Sequence, residues 1–313
     1  MVFAIVIAVV LVLLCAVVYM ISNKLADIVV HPHVHPYEES RQQVLDHNCP
    51  IDPYSVLENH RIEEFKYKSE FGYELYGRII YADDSVHFAD GKQRVIILSH
   101  GWTSNHITML TYGKIYQELG FTVVGFDHRY HGKSDKNIHC TMGLYESKDL
   151  VGLANFIKKK FPEGTIFGIQ GESMGSATAM MASPDIPWLS FLVEDCGYAT
   201  MRGQMNASAR NSHVTPFPFV NVGGWIMKHK YGLDMDKVVP KDAVARLNIP
   251  MLFCQGDNDT FVPTKMIYEV YEAKKDKKKM QLFAGSKHAE SIWDHTDQYR
   301  QVVKDFLTEY KFI

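Results

Sequence analysis

Ile166-Phe-Gly-Ile-Gln170, then Gly171-Glu-Ser173-Met-Gly175, then Ser176-Ala-Thr-Ala-Met-Met-Ala182: this stretch decides the fold. An apolar run of strand length ends in a sharp turn and leads into a run of good helix formers. A strand that turns directly into a helix brings the flanking backbone too close for side chains. Glycine at positions 171 and 175 lets Ser173 project its hydroxyl at the start of the helix. A glycine-rich strand–helix turn without chemistry is the plainer reading, and the rest of the chain must decide between the two.

The same grammar extends in both directions. Two strand-like runs between Arg61 and Ala82 flank Glu70-Phe71-Gly72 and predict a hairpin. Short apolar runs follow at Val95–Ser99, Thr122–Phe126, Phe191–Val193, Met251–Gln255 and Met280–Phe283. Helical stretches such as Tyr145–Lys160 and Lys265–Ala273 separate them. Alternation of this kind predicts an α/β protein with a mostly parallel central sheet and helices on both faces. It breaks once, between Asp195 and Pro250, where no strand is evident. A structureless loop of that length is rare inside a domain, so residues 198–244 are expected to form a small helical lid. Phe217, Phe219, Trp225 and Met227 are its apolar candidates for lining a pocket, or for anchoring the lid.

A serine hydroxyl is a weak nucleophile until a base, itself oriented by an acid, takes its proton. Gly256-Asp-Asn-Asp259-Thr-Phe-Val-Pro263 directly follows one strand and offers two carboxylates, Asp257 and Asp259. Ser286-Lys-His288 follows the last strand, where a loop can return an imidazole to Ser173. His213 and His229 fall in the lid region and lack this placement. The developing oxyanion needs donors. The N–H of Met174, just after the nucleophile, is one, and the N–H of Trp102, in the loop after Val95–Ser99, is the expected second. Gly101 would keep that loop close to substrate, and Trp102 and His106 are candidates for lining the acyl pocket.

Val2–Ile21 is a run of 20 residues without a formal charge. As a helix it would span about 30 Å, the thickness of a bilayer core. No Lys or Arg precedes it and no small-x-small site follows it, so an uncleaved anchor is expected rather than a signal peptide. His31-Pro-His-Val-His35-Pro36 is expected to be a stiff linker rather than a metal site, and Lys274–Lys279 a solvated turn. A formal charge of −3 gives no reason to expect nucleic acid. The five cysteines form no CxxC pair and read as free thiols.

Together Ser99-His-Gly-Trp102, Asp127-His-Arg-Tyr-His-Gly-Lys-Ser134, Gly171–Gly175, Gly256–Asp259 with Val262-Pro263, and Gly285–His288 resemble the α/β-hydrolase superfamily. The likeness is to its bacterial esterase and serine-aminopeptidase-like branch, in which one N-terminal helix often precedes the hydrolase. That resemblance implies Asp259 rather than Asp257 as the acid, three residues before Val262. It also implies structural roles for Asp127, Arg129 and His131. The organisation expected is a transmembrane anchor (1–22), a linker and N-terminal arm (23–60), and an α/β-hydrolase domain (61–313) with its lid at about 198–244. The expected activity is hydrolysis of a carboxylic ester by Ser173, Asp259 and His288. Trp102 and Met174 would form the oxyanion hole, and Gly101, Trp102, Phe219 and Trp225 would contact substrate. No cofactor or metal is required. Peptidase, thioesterase or lysophospholipase action on the same residues is the alternative, and a non-catalytic tethered binding protein is a more distant one. The partners expected are a small acyl ester and, through the N-terminal helix, membrane lipid. The hydrolase domain is expected at the cell membrane, single-pass and facing outward. Because every proposed catalytic group lies beyond His100, a chain beginning near Tyr37 is expected to keep full activity.

Overall fold

Helices α1 (Val2–Val30) and α2 (Tyr37–Asp46) come first, followed by the hairpin of β1 (Ile62–Lys68) and β2 (Glu74–Ile80). The structure is a computed structural model that describes residues 1–83 and 85–313. The chain continues through β3 (Arg94–Ser99), α3 (His106–Glu118), β4 (Thr122–Phe126), α4 (Glu146–Lys158), β5 (Ile166–Glu172), α5 (Met174–Ala182) and β6 (Phe191–Asp195). The region of the expected lid then carries α6 (Met201–Asn211), α7 (Pro216–Tyr231) and α8 (Pro240–Val244). Strand β7 (Met251–Gly256), α9 (Lys265–Ala273), β8 (Lys278–Phe283), α10 (Ser291–Asp294) and α11 (Thr296–Glu309) complete it.

The eight strands form one sheet in the order β1-β2-β4-β3-β5-β6-β7-β8. Strand β2 runs antiparallel to β1 and β4, and the remaining neighbours are parallel. Strands β3, β4, β6 and β7 are buried at every position, as strands covered on both faces must be. One face packs against Leu150, Leu153 and Ile157 of α4, Met180 of α5 and Val270 of α9. The other packs against Leu110 and Tyr116 of α3 and Val303 and Phe306 of α11. After β3 the chain moves outward to β4, then returns to place β5 on the other side of β3. The reversal opens a crevice at the carboxyl ends of β3 and β5, the place where open α/β sheets bind ligands.

The N-terminal segment departs from expectation. Helix α1 does not end at residue 22; it runs unbroken to Val30, and residues 23–30 are not linker. Asn23, Lys24 and Asp27 are polar but no helix breaker intervenes before Pro32, so the helix continues with those side chains turned outward. Ser22, Ala26 and Val30, spaced by four, form its buried stripe. Ser22 Oγ donates to the Phe219 carbonyl of α7 at 3.2 Å, and Tyr231 OH donates to Asp27 at 2.6 Å. A Cβ on Gly223 would lie 3.6 Å from the Ser22 carbonyl, an ordinary van der Waals distance, so the two helices pack in direct contact here. The first part of α1 stands free, with Phe3 78% and Leu13 60% exposed.

Residues 31–36 strap the domain rather than link to it. His35 N–H donates to the Thr103 carbonyl at 2.9 Å, and Asn105 Nδ2 donates to the His35 carbonyl at 2.9 Å. Tyr37 OH donates to the Asp127 carboxylate. Lys274 also departs from the solvated turn expected of it. It is fully buried, its Nζ donating to the carbonyls of Leu247 (2.9 Å) and Asp276 (2.8 Å). All five cysteines are free; Cys15 is exposed on α1 and the other four are buried.

Candidate active site

Strand β5 delivers Ser173 at the crevice with φ 54° and ψ −118°, a conformation that costs a non-glycine residue about 1–3 kcal/mol. The surroundings leave no alternative. A Cβ on Gly171 would lie 2.4 Å from Ser176 Cα, and one on Gly175 would lie 2.0 Å from the Ser99 carbonyl. Ser173 N–H donates to the Asp195 carbonyl at 2.8 Å, which ties the turn to the end of β6. The hydroxyl therefore points from the first turn of α5 into the crevice.

His288, from the loop after β8, places Nε2 2.8 Å from Ser173 Oγ and Nδ1 2.8 Å from Asp259 Oδ2. Asp259 is buried and saturated. Its Oδ1 accepts from the N–H groups of Phe261 and Val262, both at 2.9 Å, and its Oδ2 also accepts from Gln255 Nε2 at 3.1 Å. Asp257 is exposed and turned away, accepting from Gly285 N–H at 2.7 Å. The geometry brings Ser173, His288 and Asp259 together and leaves Asp257 to brace the loop that carries His288. The buried thiol of Cys196 lies in the same cluster as Asp259 and His288, and burial pushes it well above the ordinary thiol range, against reactivity.

Trp102 follows β3. Its backbone N–H has no protein acceptor among the described residues, and the first N–H groups of α5, including that of Met174, have no partner within the helix. The Trp102 indole Nε1–H donates to the Val29 carbonyl at 3.1 Å, so the last turn of α1 holds this loop. Gly101 lies against the elbow: a Cβ there would sit 3.1 Å from Glu172 Oε1.

A cavity of about 280 Å³ opens over Ser173. Trp102 and Phe219 line it, together with Val220, Gly223 and Met227 of α7. Trp225 does not. It is 57% exposed and stacks on His229 with ring centroids 4.6 Å apart, because position 225 falls on the outer side of α7. Phe217, 75% exposed, is also outside the cavity. His106 is no lining residue either: it is buried beneath the crevice, its Nδ1 2.8 Å from Asp127. Burial favours a neutral Asp127, yet His106 beside it holds the carboxyl well below its usual range.

Sequence reasoning missed two parts of this site. The first is the fourth wall of the cavity, built from Leu25, Ala26, Ile28 and Val29 of α1. The helix expected to play no part in the site is one of its walls, so a chain beginning at Tyr37 would lack that wall of the cavity. The second is a pair of buried acids under the elbow. Tyr112 OH lies 3.1 Å from Glu172 and 3.0 Å from Asp195, and burial pushes both carboxyls up to about 7. Neighbouring Glu194, which accepts from Ser176 Oγ at 2.8 Å, is pushed up to about 8 by burial. Acids inside or ending buried strands were the available signal. Elsewhere, His33, His35 and Glu39 gather on the surface with ligand atoms within 4.8 Å of one another.

Residues 94–187 match the family described as alpha/beta hydrolase fold. The uncharacterized protein YqkD of Bacillus subtilis (strain 168) is 27% identical over 259 residues, covering 82% of each chain. Among solved structures, the Pyrococcus furiosus esterase Pf2001 superposes with a TM-score of 0.63 at 20% identity, over 83% of this chain and 94% of that one. The esterase EaEST from Exiguobacterium antarcticum gives 0.58 at 15% identity, over 79% and 100%. At these identities the structural likenesses speak for the fold.

Proposed function

The chain has the α/β-hydrolase fold, and within it we propose a membrane-anchored serine hydrolase that cleaves a carboxylic ester. One observation carries the reading: the continuous relay from Ser173 Oγ through His288 to Asp259, each step 2.8 Å, beginning at a serine held in a strained elbow. His288 Nε2 takes the Ser173 proton as Oγ attacks the ester carbonyl. Asp259 holds the imidazole in the tautomer with Nδ1–H and stabilises its charged form. The N–H groups of Met174 and Trp102 receive the oxyanion. His288 then gives the proton to the leaving alcohol, and an acyl-serine remains. Water, deprotonated by the same imidazole, attacks that ester; a carboxylic acid leaves and Ser173 regains its proton. The named esterases with this fold support the choice of an ester.

The anchor is part of the proposal. Residues 2–21 have the length and composition of a bilayer span, and the same helix continues into the domain. Removing it as a leader would strip the contacts of Ser22 and Ala26 on α7. Outward orientation rests on the family resemblance alone, since Lys24 just after the span would by itself draw the domain to the cytoplasmic side.

Both halves are tested by treating alkaline-washed membranes with a fluorophosphonate probe and sequencing the labelled protein by mass spectrometry. The expected product carries the probe on Ser173 and retains its N-terminal helix. Label on Ser99, Ser104 or Ser176 would overturn the nucleophile, and a labelled chain beginning after Ser22 would overturn the anchor. Protease added to intact cells should remove the labelled domain if it faces outward.

A further inference from the structure

We infer that the substrate is a long-chain acyl ester resident in the bilayer, which reaches Ser173 along an apolar path between α1 and α7. The inference rests on the hydrolase reading of Ser173 and names the substrate class for that site. Its starting point is the cavity wall. Leu25, Ala26, Ile28 and Val29 line the cavity and belong to the same unbroken helix as the charge-free run ending at Ile21. An apolar surface therefore passes from the bilayer to the nucleophile without a loop or a charged side chain of the cavity wall between them.

The other wall sits at a matching height. Ser22, the first residue past the span, bonds the Phe219 carbonyl near the start of α7, while Asp27 bonds Tyr231 at its end. The first turn of α7 is thus at the membrane boundary. Phe217 there is 75% exposed, a wholly apolar ring that the domain leaves largely uncovered. Solvent exposure of such a ring is unfavourable unless lipid covers it.

The lining chemistry narrows the class further. Among the described residues no Asp, Glu, Lys, Arg or His lines the cavity; its polar members are hydroxyls, Gln204 and the Trp102 indole, whose N–H is already bonded. An aminoacyl amine or a charged acyl group would find no counter-charge and would be desolvated without compensation. A hydrocarbon chain loses nothing, since it leaves lipid for an apolar wall. The same chain taken from water gains about fourfold in partition for each methylene buried, so a short acyl group binds weakly by this route.

The test uses the full chain in phosphatidylcholine vesicles with two substrates: 1-palmitoylglycerol embedded in the vesicle and p-nitrophenyl acetate in the water. The unsubstituted chain is expected to hydrolyse both. In the double variant Leu25→Gln, Ile28→Gln, at positions 43% and 47% exposed where a polar side chain can be carried, the palmitoyl-to-acetate ratio of kcat/KM should fall about tenfold or more. An unchanged ratio would overturn the inference. So would an unsubstituted chain that cleaves the acetate but leaves the palmitoyl ester intact, a result that does not depend on how the variant folds. Failure of Ser173 to take a fluorophosphonate label brings down the hydrolase reading itself, and this inference with it. A labelled, acetate-active enzyme that fails the palmitoyl arm brings down the substrate class alone.

Discussion

Asp259 and Asp257 are two residues apart on one loop, yet their surroundings assign them opposite tasks. Asp259 accepts four hydrogen bonds in a buried site, one of them from His288. An asparagine there would aim an N–H at one of those donors or favour the wrong imidazole tautomer. Asp259→Asn is therefore expected to lower kcat by about 10⁴-fold, the loss known for such a change in a well-studied triad. Asp257→Asn should cost less than about tenfold, since an amide oxygen still accepts from Gly285 N–H. Steady-state rates on a water-soluble ester, with circular dichroism to check folding, decide the point; the reverse order would move the acid to Asp257. Ser173 and His288 were legible because each follows a recognisable strand and the glycines around Ser173 admit few conformations. The choice between two aspartates was not legible from their place after one strand, and only the family resemblance separated them; in the structure burial and orientation do, Asp259 turning in to His288 and Asp257 turning away. The acids Glu172 and Asp195 passed unnoticed for a related reason: one lies inside the serine motif and one closes a strand, where a polar residue looks like an ordinary strand end.

Helix α7 has one face on the cavity and one on the outside. Phe219, which lines the cavity, and Trp225, which stacks on His229 beyond it, lie on different faces. Phe219→Ala should shift the preference among acetate, butyrate and octanoate esters towards short chains, by about fourfold for each methylene whose contact is lost. Trp225→Ala should leave that profile unchanged. Comparing kcat/KM across the three esters checks both, and a profile that moves with Trp225 would mean the lid sits differently over the site. The sequence marked both aromatics as candidates because composition carries no information about which side of an isolated helix meets the body. The same gap hid the role of α1. Its polar residues after Ile21 looked like the end of a span, whereas the stripe Ser22, Ala26, Val30 acquires meaning only against α7, nearly 200 positions later.

At the level of the whole molecule, buried titratable groups give the fold a defined response to pH. Burial holds Glu172 and Asp195 at about 7 and Glu194 at about 8, all above their ordinary values. The folded state thus binds more protons than the unfolded one, and stability from these groups is present at low pH and lost as pH rises through 7 and 8. Burial depresses His100 to about 4 and His131 to about 3, which works in the opposite sense below 6.5. Above 6.5 those histidines are neutral in both states and the acids act alone. Stability in detergent should therefore fall between pH 6.5 and 8, by up to about 1.4 kcal/mol per pH unit for each of these acids still protonated in the folded state, with the slope fading as each ionises. Glu194→Gln, neutral and of the same shape, should flatten the decline. Thermal melts across that range test it, and an unchanged slope would show that Glu194 is already ionised in the folded protein.

On the proposed anchor, the unbroken helix that runs on to the wall of the Ser173 cavity also fixes a height. About seven residues separate Ser22 from Val29, the residue whose carbonyl holds Trp102, and at 1.5 Å per residue this is a rise of about 10 Å. A flexible tether would let the hydrolase sample substrates at any depth or tilt. A rigid post does not. If the proposed anchor and substrate hold, the reacting carbonyl must be lifted by that amount while the end of its chain still touches hydrocarbon, so substrates would be gauged by reach: a tail too short to bridge the gap would let go of the bilayer before it met the serine.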